Sequence, residues 1–198
     1  MSISIIGDVH GHYDRYVKMA RKRDHTIQLG DLGFRYNCLE NLDSERHRVI
    51  GGNHDNYDIV DNWPHFLGDY GMASLGGVDF FFYRGAYSID RQYRTIGLDW
   101  WEQEQLKIDD FMKARKLYME AKPEIVITHD CPESVGLMLL PPGAPVYQNL
   151  TSWALQELFN AHQPKMWRFG HWHQSWRMTI GRTDFRCLNE LEVEEIAA

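Results

Sequence analysis

Residues 2–10 read Ser-Ile-Ser-Ile-Ile-Gly-Asp-Val-His. The apolar run at residues 2–6 predicts a short buried strand, which stops at Gly7, directly before the polar side chains of Asp8 and His10. The same order, an apolar run followed by a glycine and a polar residue, recurs along the chain. Because ligands of α/β proteins bind beyond the carboxyl ends of the strands, this repetition predicts an α/β fold with its site at those ends.

Four further segments carry potential metal ligands after predicted strands. They are Gly30-Asp31, Gly52-Asn53-His54-Asp55, Thr128-His129-Asp130 and Gly170-His171-Trp172-His173. In extended backbone, residues i and i+2 point the same way. We therefore expect each pair with this spacing, Asp8 with His10 and His171 with His173, to face a common point.

The ligand types indicate the metal chemistry. The candidate ligands are Asp8, His10, Asp31, Asn53, His129, His171 and His173. Carboxylate, imidazole and amide groups without a thiolate suit Mn²⁺, Fe, Zn²⁺ or Ni²⁺. One tetrahedral ion cannot use so many ligands, whereas two ions that share a carboxylate can. We expect two divalent cations, foremost Mn²⁺, with Asp31 as the candidate bridge.

A site of this kind favours a phosphate ester as substrate. Two divalent cations outweigh the charges of Asp8 and Asp31, so the site would attract phosphate oxygens and acidify a bound water. The expected reaction is in-line attack of a metal-bridging hydroxide on a phosphodiester or phosphomonoester. His54 follows a ligand directly, so it is expected to point past the metals and protonate the leaving oxygen or stabilise its charge. Asp31 and His54 are therefore the predicted catalytic residues.

Composition and charge limit the other functions. The net charge of −7 argues against extended nucleic-acid binding, although a nucleotide or a strand end could still enter a small site. No run of about 18 apolar residues indicates a membrane span. The first residues lack the features of a secretory signal, so a cytoplasmic protein is expected. Residues 1–198 are predicted to form one domain, and nothing in the sequence indicates the oligomeric state.

These segments resemble the motifs of the calcineurin-like metallophosphoesterase superfamily, Asp-x-His, Gly-Asp, Gly-Asn-His-(Asp/Glu), a lone His and Gly-His-x-His, over residues 7–173. The resemblance implies a four-layer αββα sandwich of two mixed sheets flanked by helices. It also implies two metal positions that share Asp31 and an acid at His54. The first position would use Asp8, His10, Asp31 and His173, and the second Asp31, Asn53, His129 and His171.

The stretch after the second motif departs from the protein Ser/Thr phosphatases, which resemble Gly-Asp-x-x-Asp-Arg-Gly. Phe34 stands where those enzymes have the Asp that orients the acid His, while Arg35 keeps the basic position as a possible phosphate contact. Asp55, Asp58 and Asp130 are the candidates to orient His54 instead, and the sequence does not decide among them. The departure favours a small or nucleotide-type substrate over a phosphoprotein.

Two alternatives stay open, a protein Ser/Thr phosphatase and a non-catalytic scaffold that uses the fold to bind a partner. Residues 87–97 are predicted to form a surface loop in which Tyr87, Arg91 and Arg94 could read the substrate beyond its phosphate, or which only packs on the scaffold. A long helix is expected over residues 102–122. The acidic residues 190–195 are expected to form a frayed, solvated end.

Overall fold

The computed structural model describes residues 2–197, whose strands form two mixed sheets. The strands are β1 (Ser2–Ile6), β2 (Thr26–Gln28), β3 (His47–Val49), β4 (Tyr70–Leu75), β5 (Val78–Tyr83), β6 (Ile125–Thr128), β7 (Met166–Phe169), β8 (Trp176–Ile180), β9 (Thr183–Cys187) and β10 (Val193–Ala197). The smaller sheet has the order β10-β1-β2-β3, and the larger has the order β4-β5-β6-β7-β9-β8. In each sheet the central strands are parallel, and an antiparallel strand lies at one edge or both.

Helices cover the outer face of each sheet. They are α1 (Tyr13–Ala20), α2 (Tyr57–Val60), α3 (Ile108–Ala121), α4 (Glu133–Leu139) and α5 (Leu150–Ala161). Helices α1 and α2 pack on the smaller sheet, and α3, α4 and α5 pack on the larger one. Within residues 2–197, no helix combines the length and the apolar character that crossing a membrane requires.

The apolar strands are buried on both faces, and β5 shows how. Phe80 and Phe82 point into the core between the two sheets, whereas Phe81 and Tyr83 point toward the helices on the larger sheet. This alternation follows from the two-residue period of a strand. It places helices and sheets in four layers, so the predicted αββα sandwich is confirmed.

Two element predictions are wrong. The predicted helix at residues 102–122 is a short 3-10 helix at Glu102–Glu104 followed by α3, which begins only at Ile108. The acidic residues 190–195, expected to be frayed, lead into β10, which pairs with β1 in antiparallel register. An edge strand with one face near solvent tolerates glutamates, so the acidic composition of this segment did not indicate a strand.

Five loops at the carboxyl ends of parallel strands meet where the two sheets adjoin. They follow β1, β2 and β3 in the smaller sheet and β6 and β7 in the larger one. Backbone hydrogen bonds connect them, among them the one from the His10 amide to the Asp31 carbonyl, 2.8 Å, and the one from the Gly170 amide to the His129 carbonyl, 3.0 Å. The potential metal ligands lie on these loops.

Candidate metal centre

The structure brings the predicted ligands together in two groups around Asp31. The first group is Asp8, His10, Asp31 and His173, and the second group is Asp31, His129 and His171; within each group the ligand atoms lie within 4.8 Å of one another. One Asp31 oxygen lies 3.6 Å from His10 Nε2, and the other lies 3.4 Å from His129 Nε2. Asn53 adjoins the second group, with Oδ1 3.1 Å from His129 Nε2.

The ligands converge through left-handed backbone and not through the extended geometry that the sequence suggested. His10, Asp31, His171 and His173 all have positive φ values, +43°, +54°, +65° and +49°. Non-glycine residues adopt this region rarely, and active sites are a common place for it. The expectation that residues i and i+2 face one point through a strand was therefore wrong in its geometry, although both pairs do meet at the site.

Two glycines allow the carboxylates to sit against the backbone. A Cβ at Gly170 would overlap the Asp8 carboxylate, and a Cβ at Gly52 would overlap the Asp31 carboxylate. Any side chain at these positions would displace a candidate ligand. The glycines in the sequence motifs therefore have a steric role beside their conformational one.

The polar atoms of the first group fit a cation. Asp8 Oδ2 accepts a hydrogen bond from the His171 amide, 2.9 Å, whereas Asp8 Oδ1 is buried and has no hydrogen-bond partner among residues 2–197. Buried carboxylate oxygens without a partner are costly. His10 Nε2 and His173 Nε2 also face each other at 2.8 Å. Acceptor atoms that converge in this way suit a divalent cation, so the residues present fit the expected metals.

The electrostatics of the centre follow from its buried carboxylates. Burial raises the pKa of Asp31, but the neighbouring His129 and the other imidazoles outweigh burial and hold that pKa well below its usual range. Burial likewise opposes the protonation of His129, yet Asp31 and Asp8 raise its pKa above the ordinary value. The carboxylates thus attract positive charge to the imidazoles, and a bound cation would compete with protons for the same nitrogens.

Residues outside the predicted set hold Asn53 in place. Asn53 Nδ2 donates to Ser88 Oγ at 3.0 Å, and Ser88 Oγ donates to a carboxylate oxygen of Glu104 at 2.6 Å. This chain points Asn53 Oδ1 toward His129. Sequence reasoning missed Ser88 and Glu104 because neither residue lies in a recognisable motif.

His54 contacts a cation and not one of the expected acids. Its Nε2 lies 2.5 Å from Arg94 Nη2, and Arg94 in turn pairs with Asp90 at 2.8 Å. Burial is the main cause that lowers the pKa of His54 to about 4, and Arg94 lowers it further. The expectation that an acidic residue orients His54 is therefore wrong.

The three acids considered for that role bind other groups. Asp55 accepts hydrogen bonds from the amides of Asp31 and Gly52, Asp58 accepts from Trp101 Nε1, and Asp130 accepts from Trp172 Nε1. Asp55 thereby fixes the two loops that carry Asp31 and Asn53. The acidic residue of the third motif acts on the backbone around the ligands.

The residues predicted to contact the substrate do not line one common pocket. A cleft of about 530 Å³, called the apolar cleft below, opens beside the second group and is lined by Tyr87 but not by Arg91. The guanidinium of Arg91 instead stacks on the Tyr87 ring, 4.9 Å from its centroid. Arg35 lines a separate polar groove of about 420 Å³ together with Tyr13. A shared role of Arg35 and Tyr87 in one pocket is therefore not supported.

Comparison with known proteins identifies the fold and the family. The model of the calcineurin-like phosphoesterase family matches residues 1–175. None of the curated proteins matches the chain in sequence. A dimetal phosphatase from Danio rerio is 13% identical, and the similarity covers 97% of this chain and 88% of that one with a TM-score of 0.56.

Two bacterial proteins also have structures similar to that of this chain. The protein TT1561 of Thermus thermophilus is 14% identical, with 96% of this chain and 90% of that one covered and a TM-score of 0.59. A putative 5′-nucleotidase from Staphylococcus aureus is 13% identical, with 98% of this chain but 50% of that one covered and a TM-score of 0.57. Identities this low show a common fold only, whereas the family model spans most of the sequence. The chain therefore belongs to the calcineurin-like phosphoesterase family.

Proposed function

We propose that the protein is a binuclear-metal phosphoesterase that hydrolyses phosphodiester or phosphomonoester bonds. The observation that carries this proposal is the position of Asp31, whose two oxygens face the first and the second ligand group separately. Two divalent cations, which we propose to be Mn²⁺, would supply a clamp for phosphate oxygens and an acidified water as nucleophile. Fe, Zn²⁺ and Ni²⁺ suit the same ligands.

Other groups of the chain would retain the cations and orient the ligands. Asp8 and Asp31 bring the negative charge that retains the cations, and Asp55 keeps Asp31 in place through its backbone amide, 3.0 Å away. Ser88 fixes the amide of Asn53, so that the oxygen of Asn53 stays available as a ligand. Partners that orient ligands in this way tune metal affinity and activity.

His54 would act on the leaving group. A guanidinium can only donate, so His54 Nε2 accepts from Arg94 and the neutral ring carries its proton on Nδ1. A low pKa keeps the ring neutral near pH 7. We propose that Nδ1–H donates a hydrogen bond to the leaving oxygen and stabilises its charge, in preference to transferring a whole proton.

The proposed substrate is small or nucleotide-like. The Staphylococcus aureus structure similar to this chain is described as a putative 5′-nucleotidase, which makes nucleotides a suitable class to test. The net charge of −7 disfavours a protein that follows a long nucleic-acid backbone. Phe34, in place of the Asp that pairs with the acid His, disfavours the protein-phosphatase alternative.

A substrate panel tests the proposal. The protein is stripped of metal, reloaded with Mn²⁺ and offered bis(p-nitrophenyl) phosphate, p-nitrophenyl phosphate, 2′,3′-cyclic nucleotides, nucleoside monophosphates and phosphopeptides. We expect metal-dependent turnover of at least one of the small esters, lost again on chelation. Strong turnover of phosphopeptides alone would favour a protein phosphatase, and no turnover with metals bound would favour a non-catalytic scaffold.

A further inference from the structure

The apolar cleft continues directly from the candidate metal centre. One end is formed by Asp31, Asn53, His54, His171 and His173. A phosphate held by metals at this end would therefore place the organic part of the substrate in the rest of the cleft. Its volume of about 530 Å³ is in the range of small-molecule sites.

The cleft walls are apolar and unusually open to solvent. The loop after β5 contributes Ile89, and the segment after α4 contributes Val146, with exposed fractions of 64% and 56%. Single exposed apolar residues are ordinary, but a group of them around one concave site marks a place that an apolar group covers. The walls therefore favour a substrate whose organic part is hydrophobic.

The charges around the cleft disfavour a second anion. Asp90, Asp130 and Glu133 line it beyond the metal end, and no Lys or Arg does. The arginines near it already have partners, since Arg94 contacts His54 and pairs with Asp90, and Arg91 stacks on Tyr87. A diphosphate, a triphosphate or an acidic peptide would meet repulsion at Asp130 and Glu133, and none of the lining residues is a Lys or Arg that could compensate it.

Two tyrosines in the cleft lining pack against each other. The rings of Tyr87 and Tyr147 are nearly parallel, at 28°, and their centroids are 6.2 Å apart. The two rings therefore pack as one aromatic surface in the lining of the cleft, and a further ring can stack against that surface. Tyr147 is 48% exposed and belongs to a segment without helix or strand, so part of its ring is open to a ligand.

We propose that the apolar cleft binds an uncharged aromatic group of the substrate against Tyr87 and Tyr147, while the single phosphate of that substrate lies at the metal centre. The substrates are then monoesters or diesters of one phosphate with an aromatic-bearing alcohol. The proposal rests on the proposed function only for the position of the phosphate. Stacking on tyrosine faces and burial of the ring provide the specificity.

Phosphonates test the proposal without requiring turnover, because their C–P bond is not an ester. Calorimetry on the Mn²⁺-loaded protein compares 3-phenylpropylphosphonate, 3-cyclohexylpropylphosphonate, propylphosphonate and propane-1,3-bisphosphonate. We expect the phenyl compound to bind about tenfold or more tightly than the propyl compound through ring burial. It should also bind about threefold more tightly than the cyclohexyl compound through stacking. The bisphosphonate should gain nothing from its second anion.

A matched pair of variants tests whether the preference for the phenyl compound arises in the apolar cleft. Tyr147→Leu keeps an apolar side chain but removes the stacking face, so the ratio of phenyl to cyclohexyl affinity should fall to about one. Tyr93→Leu makes the same change at a tyrosine that is 83% exposed and outside the cleft lining, and it should keep the wild-type ratio.

Several results would overturn the proposal. They are equal affinities for the phenyl and propyl compounds, equal affinities for the phenyl and cyclohexyl compounds, tightest binding of the bisphosphonate, or a ratio that Tyr147→Leu leaves unchanged. If the phosphonates bind in the expected order while no ester is hydrolysed, the proposed function fails and the cleft assignment stands.

Discussion

At residue scale, Asp31 and His54 show what motifs predict and what they omit. The motifs predicted which side chains meet, because glycine-flanked ligands after strands are a strong joint signal. They did not predict the left-handed φ of His10 or Asp31, since backbone conformation at a loop depends on contacts made by distant segments. The Arg94 contact of His54 was equally hidden, because 40 residues separate the two in sequence.

The Arg94 contact leads to a prediction about rate. Arg94→Ala removes the donor that fixes the His54 ring, and we expect kcat/KM on an unactivated ester to fall about 10- to 100-fold while two metals stay bound. Arg21→Ala, at an exposed arginine after α1, is the matched control and should leave the rate unchanged.

A double-mutant cycle with His54→Ala separates this role from general damage. If Arg94 acts through His54, adding Arg94→Ala to His54→Ala should cost little more, measured as kcat/KM on the same ester. Additive losses, or a loss of metal in Arg94→Ala, would contradict the assignment.

At element scale, the strands with continuous apolar runs were predictable, whereas the edge strands β4 and β10 were not. The run at residues 78–83 is buried on both faces, so composition alone indicates β5. Strand β4 includes a glycine and exposed positions, and β10 is rich in glutamate. Both lie at the edge of a sheet, where side-chain composition indicates a strand only weakly.

Strand β10 also contributes a contact between the sheets. Arg168 of β7 is buried, and its guanidinium donates to both oxygens of Glu194, at 2.6 and 3.1 Å, and to Asp184 at 2.8 Å. Glu194 belongs to the smaller sheet and Arg168 to the larger one. The ion pair thus joins the two sheets across their interface, and the terminal segment has a structural role.

Loss of this ion pair should destabilise the fold. Glu194→Ala leaves the buried Arg168 with one carboxylate, and we expect the free energy of unfolding in urea to drop by about 2 kcal/mol. Glu195→Ala changes an exposed glutamate on the same strand and should stay within about 0.5 kcal/mol of wild type. Equal stability of the two variants would show that the contact adds nothing.

At the scale of the whole molecule, the candidate metal centre is shared by the two sheets. The loops of the smaller sheet carry Asp8, Asp31 and Asn53, and the loops of the larger sheet carry His129, His171 and His173. The backbone amide of His171 donates to Asp8, which ties the two sets together. The sandwich therefore brings together candidate ligands that neither sheet holds alone, which fits the membership of the family.

Metal titration followed by turnover tests the central claim most directly. Mn²⁺ is added stepwise to the stripped protein, and hydrolysis of bis(p-nitrophenyl) phosphate is measured at each ratio of bound metal to protein. The shared position of Asp31 predicts a low rate with one equivalent, a full rate with two, and loss of the second equivalent and of activity in Asp31→Asn. A full rate with one equivalent, or two bound equivalents without turnover, would contradict the account.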